Sequence, residues 1–410
     1  MKTWKAMVLG ASFFWPEAPA AARTGEFAVI QVTGLGASSQ VVRLEFWAPT
    51  GRYGHVECAG ADFDWRPAQD FVSPASGSNV VTVTVSNRAP AFFRVFVSPV
   101  PGLKFVQVPP GAFSMGDPYA EGSSDELPVH TVNVGRFYIS QTEVTVEQYT
   151  RYLNDARAAG LIERVTLESD DDVPGGTPFY GDIYAVRASS GGYRPLYCVY
   201  NTSDPPDDTN FRIYWTGSQF AYHSTWRTHP APLMSWYGAR AFCQFYGGDL
   251  ATEAEWEKAA RAGRAGDHYP WASIGGDFTA HISANRANYW NSGDAWEYDY
   301  PQTTPVMYYA AWSNAYGLFD MAGNAYEWVR DWYDADYYQD CFNQGTVTNP
   351  AGPGSGTYKT LRGGSYYDPP DDAEEELYQW KLRTANRLET EPPEDIHFNI
   401  GIRMVLHPDP

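Results

Sequence analysis

The chain changes texture at Pro99-Val100-Pro101-Gly102. Upstream, short apolar runs alternate by twos. Downstream, three stretches carry helix start and stop marks, and the remainder is rich in Gly and aromatics without a period. No single layer architecture suits both textures, so the break predicts two domains with a linker between them. The length of 410 residues agrees, at roughly 100–200 per domain. Residues 27–32, 41–46, 81–85 and 92–97 read as strands, separated by Gly, Ser, Pro and Asn clusters. Short strands with turn residues between them predict a small all-β sandwich over 25–99. It carries no chemical motif, and spacing or adhesion is the expected role.

Beyond the linker, Thr145 with Gln148 forms a capping box, in which the two side chains satisfy the first free amides of a helix over 146–158. Ser235 caps a second helix with Ala239, Phe242, Cys243 and Tyr246 on one face, stopped by Gly247-Gly248. Thr252 with Glu255 caps a third over 253–262, ended by Gly263. Segment 160–230, with Asp170-Asp171-Asp172 and Pro205-Pro206-Asp207-Asp208, has no long period and reads as an insertion or as surface loops.

Charge narrows the partners. The chain carries 29 Lys and Arg against 49 Asp and Glu, a net −20, and a polyanion repels nucleic acid and anionic lipid alike. No run of about 18 apolar residues is present, so no membrane-spanning helix is expected. Residues 1–22 read as a secretory signal: Lys2 and Lys5, an apolar run over 6–15, then Ala18-Pro19-Ala20. That predicts a secreted or periplasmic protein in which Cys58, Cys198, Cys243 and Cys341 have three possible pairings; Cys341 pairs with Cys198 or stays free. Asn201-Thr202-Ser203 fits the glycosylation pattern and matters only in a host that glycosylates.

Eight motif segments in order carry a resemblance. They begin with Phe105-Val106-Gln107-Val108-Pro109-Pro110-Gly111-Ala112-Phe113-Ser114-Met115-Gly116 and Glu143-Val144-Thr145. Pro232 to Trp236 and Thr252-Glu253-Ala254-Glu255-Trp256-Glu257-Lys258-Ala259-Ala260-Arg261 follow. Then come Tyr316-Gly317-Leu318-Phe319-Asp320-Met321-Ala322-Gly323-Asn324-Ala325-Tyr326-Glu327-Trp328 and Leu361-Arg362-Gly363-Gly364-Ser365-Tyr366. Arg383-Thr384-Ala385-Asn386-Arg387 and Asn399-Ile400-Gly401-Ile402-Arg403 close the set. The stretch 103–408 thereby resembles the formylglycine-generating (sulfatase-modifying factor) family. The resemblance implies a loop-rich α+β fold of the C-type-lectin-like kind, whose core leans on large aromatic side chains. Aromatics are 16% of this chain.

The family's enzymes oxidise a substrate Cys to formylglycine with a copper-binding Cys pair shortly after the Gly-Gly-Ser motif. Here residues 366–380 contain no Cys, and the last Cys of the chain is Cys341. Soft Cu(I) wants thiolates, and the carboxylates standing there are hard donors, so copper and the oxidation are not expected. A related branch uses non-haem iron on clustered His ligands. His55, His130, His223, His229, His268, His281, His397 and His407 show no pair at i, i+4 on a helix. Calcium is the cofactor the resemblance implies, with a structural role. Asp320, Gly323, Ala325 and Glu327 match one family site, and the plain alternative is a hydrogen-bonded loop. Asn288, Tyr289, Asp294 and Trp296 match a second, with Asp299 as a rival ligand.

Without thiols, the late loop becomes a display surface. Tyr366, Tyr367, Asp368, Tyr378, Trp380 and Arg383 stand beside the acidic run 368–376, a composition suited to a glycan or protein ligand. The bland alternative has Trp380 in the core and the acids solvated. Arg362, Arg383, Asn386, Arg387 and Arg403 are expected to brace the fold. The sequence therefore predicts a secreted, sulfatase-modifying-factor-like ligand-binding module without the oxidation. The alternative is an oxidoreductase of the same superfamily with divergent chemistry.

Overall fold

The computed structural model describes the strands between residues 30 and 97, then 98–166, 183–188, 195–200, 212–271, 282–296, 302–367, 378–387 and 390–407. The leader 1–22, the Asn201 tripeptide, Asp299, Asp368 and the acidic run to Glu376 lie outside the described residues. The chain divides into two compact units, 1–105 and 106–410.

Among the described residues the first unit holds six strands: β1 Ile30–Leu35, β2 Ser39–Ala48, β3 Tyr53–Ala59, β4 Arg66–Val72, β5 Gly77–Ser86 and β6 Phe92–Val97. They form two antiparallel three-stranded sheets, ordered β1-β2-β5 and β4-β3-β6. The β2–β5 ladder runs without a slip from Ser39↔Ser86 to Ala48↔Gly77. Its register sets Val42 against Val83 and Leu44 against Val81. A one-residue shift would set Val against Thr, so the period-2 pattern fixes the pairing. Strands β3 and β4 escaped the pattern because Gly54, Cys58 and Pro67 interrupt it.

The second unit is mixed α/β, rich in sheets and in loops. Helix α1 spans Val146–Ala158 with the Thr145–Gln148 capping box formed. Helix α2 spans Trp236–Phe245 behind Ser235, whose hydroxyl accepts from Gly238 N–H. Helix α3 spans Glu253–Arg261 behind the Thr252–Glu255 box and ends at Ala262 in the left-handed region. Helix α4, Tyr337–Gln344, was not foreseen. The 160–230 segment contains more order than loops. Residues 162–166, 183–188, 195–200, 213–215 and 220–222 pair into one five-stranded sheet. Tyr149 and Tyr152 of α1 pack on Phe242 and Phe245 of α2, ring centroids 5.4–5.6 Å apart. The main core gathers Trp256 and Ala259 of α3 with Val108, Val132, Phe137, Ile139, Val329 and Val405. No described helix is long and apolar enough to cross a membrane.

Beside that apolar core lies a charged one. Arg362 donates to Glu257 at 2.6 Å and to the carbonyls of Thr384, Ala385 and Asn386. Arg387 forks onto both oxygens of Glu253 at 3.0 and 3.2 Å, and Arg261 donates to Glu257 at 2.9 Å. Every one of these groups is buried, so each charge depends on its partner, and single removals leave an orphan.

Candidate functional site

The loop before the strand Tyr326–Trp332 is wound by three left-handed residues, Asp320, Gly323 and Asn324, at φ +56°, +81° and +70°. Only glycine fits the middle one: a Cβ there would stand 2.3 Å from the Asn288 carbonyl oxygen. The winding turns the Gly323 amide onto the Gly363 carbonyl at 2.8 Å and the Asn324 amide onto that of Asn288 at 2.8 Å. Ala325 N–H donates to Glu143 Oε1 at 3.0 Å, and Asn324 Nδ2 to Glu143 Oε2 at 2.7 Å. Glu327 receives Arg403 on both oxygens, at 2.8 to 3.1 Å, and the Trp256 indole N–H at 2.6 Å.

The electrostatics are lopsided. Glu143 and Glu327 are buried, and Asp320 keeps part of its surface in water while its carboxyl accepts Met307 N–H at 2.8 Å. Loss of solvent, then the nearby Asp320 and Glu327 charges, hold the Glu143 carboxyl well above its ordinary range. Loss of solvent also pushes Asp320 up to about 6, against the lowering effect of the Met307 amide and Arg403. Three carboxyls thus share one guanidinium. Such a surplus of hard oxygen donors, beside turn carbonyls, suits a hard cation. Sequence reading had named Glu143 only as part of a motif. Its partner Asn324 stands 181 residues away, and nothing local announces the contact.

The second set is drawn together through Gln302. Asn288 Nδ2 donates to the Gln302 carbonyl at 2.7 Å, and Gln302 N–H to that of Trp296 at 3.1 Å. Asp294 accepts Trp296 N–H at 2.8 Å and the Tyr309 hydroxyl at 2.5 Å. Burial and the Asp294 carboxylate hold that phenol above its ordinary value. Tyr289 is buried with Trp271, Ala322 and Leu382. The Asn324–Asn288 bond joins this set to the Asp320 loop.

The six display residues separate by depth. Tyr366 is buried and donates its amide to the Asn324 carbonyl at 3.0 Å. Tyr367 is half-buried, edge-on to Trp290 and Phe398 at 5.0 Å each. Arg383 is buried: it grips Glu126 at 2.7 and 2.9 Å and reaches Asp117 at 3.2 Å. Trp380 is exposed, 5.3 Å over the Arg383 guanidinium. Tyr378 begins the helical turn Tyr378–Lys381, and Asp368 lies outside the described residues. Sequence reading missed the neighbours. Near Trp380, Tyr269 bonds the Gln379 carbonyl, while Tyr119 stacks on His268 at 4.4 Å. Aromatic groups therefore flank both ends of the 368–377 stretch. Cys243 and Cys341 are buried free thiols, and burial raises both above the ordinary thiol range.

A loop-rich mixed α/β unit whose motif arginines and carboxylates grip one another defines a scaffold class. Residues 95–408 match the family model described as sulfatase-modifying factor enzyme 1-like domain, and the chain belongs to that family. The formylglycine-generating enzyme of Streptomyces coelicolor is 31% identical over 315 residues, covering 73% of this chain and 87% of that protein. The serine/threonine-protein kinase pkn1 of Chlamydia pneumoniae is 32% identical over 289 residues, covering 70% of this chain and 36% of that protein. The chain thus spans about a third of the length of the kinase-named relatives. A Bos taurus protein named inactive C-alpha-formylglycine-generating enzyme 2 is 25% identical over 318 residues, covering 73% and 87%.

Proposed function

We propose that this protein is a sulfatase-modifying-factor-like binding module that does not oxidise cysteine. One observation carries the reading: no Cys follows Gly363-Gly364-Ser365, and Cys243 and Cys341 are buried and precede it. A thiolate nucleophile or copper ligand needs access and a lowered pKa, and these two thiols have neither. The test incubates purified protein with copper and a Cys-containing sulfatase peptide, then weighs the peptide. Unchanged mass is expected, and conversion of thiol to aldehyde sinks the proposal.

The ligand face in this reading flanks the acidic stretch. Tyr367, Trp290 and Phe398 stand at one end and Trp380, Tyr269, Tyr119 and His268 at the other. Rings stack on the apolar faces of sugars or peptide side chains, and carboxylates accept their hydroxyl or amine donors. Tyr366 and Arg383 support this face from beneath. Calcium would be held by Asp320 and Glu327 with the carbonyls of Gly323 and Ala325, and by Asn288, Tyr289, Asp294 and Trp296. It would neutralise surplus carboxylate charge and fix the loops. A C-type-lectin-like arrangement, face-to-face packing of the two N-terminal sheets and secretion complete the proposal. A glycan and peptide array, run with and without calcium, tests the binding role. Trp380→Ala should abolish the captured signal while leaving stability within about 0.5 kcal/mol, as expected for an exposed side chain.

A further inference from the structure

The segment between the strands Thr390–Glu391 and Ile400–Ile402 belongs to none of the motifs, apart from Asn399 at its end. It is held firmly. Glu391 pairs with Lys359 in the sheet, Asp395 N–H closes a turn onto the Pro392 carbonyl at 3.0 Å, and Leu233 N–H donates to the His397 carbonyl at 2.9 Å. Trp236 N–H fixes the Pro393 carbonyl at 3.2 Å. These anchors bring one donor atom each of Glu391, Asp395 and His397 within 4.8 Å of one another. Among the described residues, no other three His, Cys, Asp or Glu side chains converge in this way.

One feature sets this group apart from a solvated acidic patch. The His397 Nε2 atom is shielded from solvent and has no hydrogen-bond partner among the described residues. It faces Glu391 Oε1 at 3.5 Å, close enough for an ion pair but without hydrogen-bond geometry. An imidazole nitrogen without a hydrogen bond, set between two carboxylates, offers a donor set for a cation.

We propose that Glu391, Asp395 and His397 bind a divalent transition-metal ion of the zinc class. One imidazole and two carboxylates make a borderline donor set, which favours such ions over calcium, a cation that takes oxygen alone. Three protein ligands leave a coordination position open to water or to a ligand group. The site stands next to the aromatic face, since Phe398 follows His397 and packs on Tyr367. The proposal is independent of the binding role and of the calcium sites.

The test uses the untagged full chain, stripped with chelator and returned to millimolar calcium, titrated calorimetrically with Zn²⁺ and spectroscopically with Co²⁺. One equivalent of Zn²⁺ should bind, with visible cobalt bands. His397→Gln and Glu391→Gln should each weaken binding by at least the roughly 10–100-fold that loss of a supporting partner costs at a metal site. Both variants should keep the metal-free melting temperature, because both side chains are partly exposed. Absence of saturable Zn²⁺ binding, or binding undiminished in both variants, overturns the proposal. Displacement of Zn²⁺ by calcium at comparable concentration does so as well.

Discussion

Asp331 offers a quantitative test of how the charged core works. Its carboxylate is buried and accepts Glu253 N–H, at the start of α3, at 3.1 Å. Burial, then the neighbouring Glu253, raise its pKa from 3.8 to about 7, while the Glu253 amide and Arg330 pull the other way and Glu255 adds to the rise. The protonated form is therefore favoured in the folded state. The stabilisation it gives is complete below about pH 4 and is lost as pH rises to about 7. A shift of roughly three units corresponds to on the order of 4 kcal/mol over that window. Asp331→Asn keeps an oxygen to accept the Glu253 amide and cannot ionise. Urea unfolding of both proteins between pH 4.5 and 7.5 should show the variant gaining on the wild type by about 3 kcal/mol. Groups shared by both proteins, such as His407 on Glu255, cancel in the difference. Lys359, lowered to about 8 by burial with Asp331 opposing, begins to titrate only at the top of the window. A stability difference that stays flat across these pH values would refute the reasoning.

Three further outcomes follow from the same geometry. Arg383→Met should lower stability by about 3–5 kcal/mol, since Glu126 is then buried without its partner, and adding Glu126→Gln should recover part of it. Thermal melts of the single and double variants check this, and equal losses would contradict it. Gly323→Ala should cost more than about 2 kcal/mol or prevent soluble expression, because the new Cβ meets the Asn288 carbonyl in a left-handed backbone. If calcium sits on the Asp320 loop, chelator should lower the wild-type melting temperature and do little more to Asp320→Ala. Identical chelator effects on both proteins would remove the ion from that loop. Glu327→Ala is a poor probe here, because it orphans Arg403 whether or not an ion binds.

The local parts of the fold were legible and the distant parts were not. Thr145, Ser235 and Thr252 each announce a helix within four residues, because a cap acts on its own first turn. The five-stranded sheet of the 160–230 segment was hidden. Its strands are three to six residues long, too short for alternation to stand out from the surrounding aromatics. Arg383 was legible as a brace of the fold, but its partners Glu126 and Asp117, 257 and 266 positions away, were not. Glu391, Asp395 and His397 share no period and meet only because a fixed loop folds them together.

That division bears on what the family motifs mean. Arg362, Arg387, Arg403, Glu253, Glu257 and Glu327 are among the charged residues by which the resemblance is recognised, and each is buried against a partner in that set. Losing any one would strand a charge at a cost of about 3–5 kcal/mol, a large part of the 5–15 kcal/mol that holds a domain folded. The scaffold therefore requires these residues whether or not it oxidises anything. The copper cysteines carry no such obligation, since none of these buried ion pairs involves the position after Gly363-Gly364-Ser365. A chain can keep the whole recognisable frame and exchange its chemistry at small structural cost. Activity in this family must accordingly be read from the loop after Gly363-Gly364-Ser365, and here that loop offers carboxylates and rings.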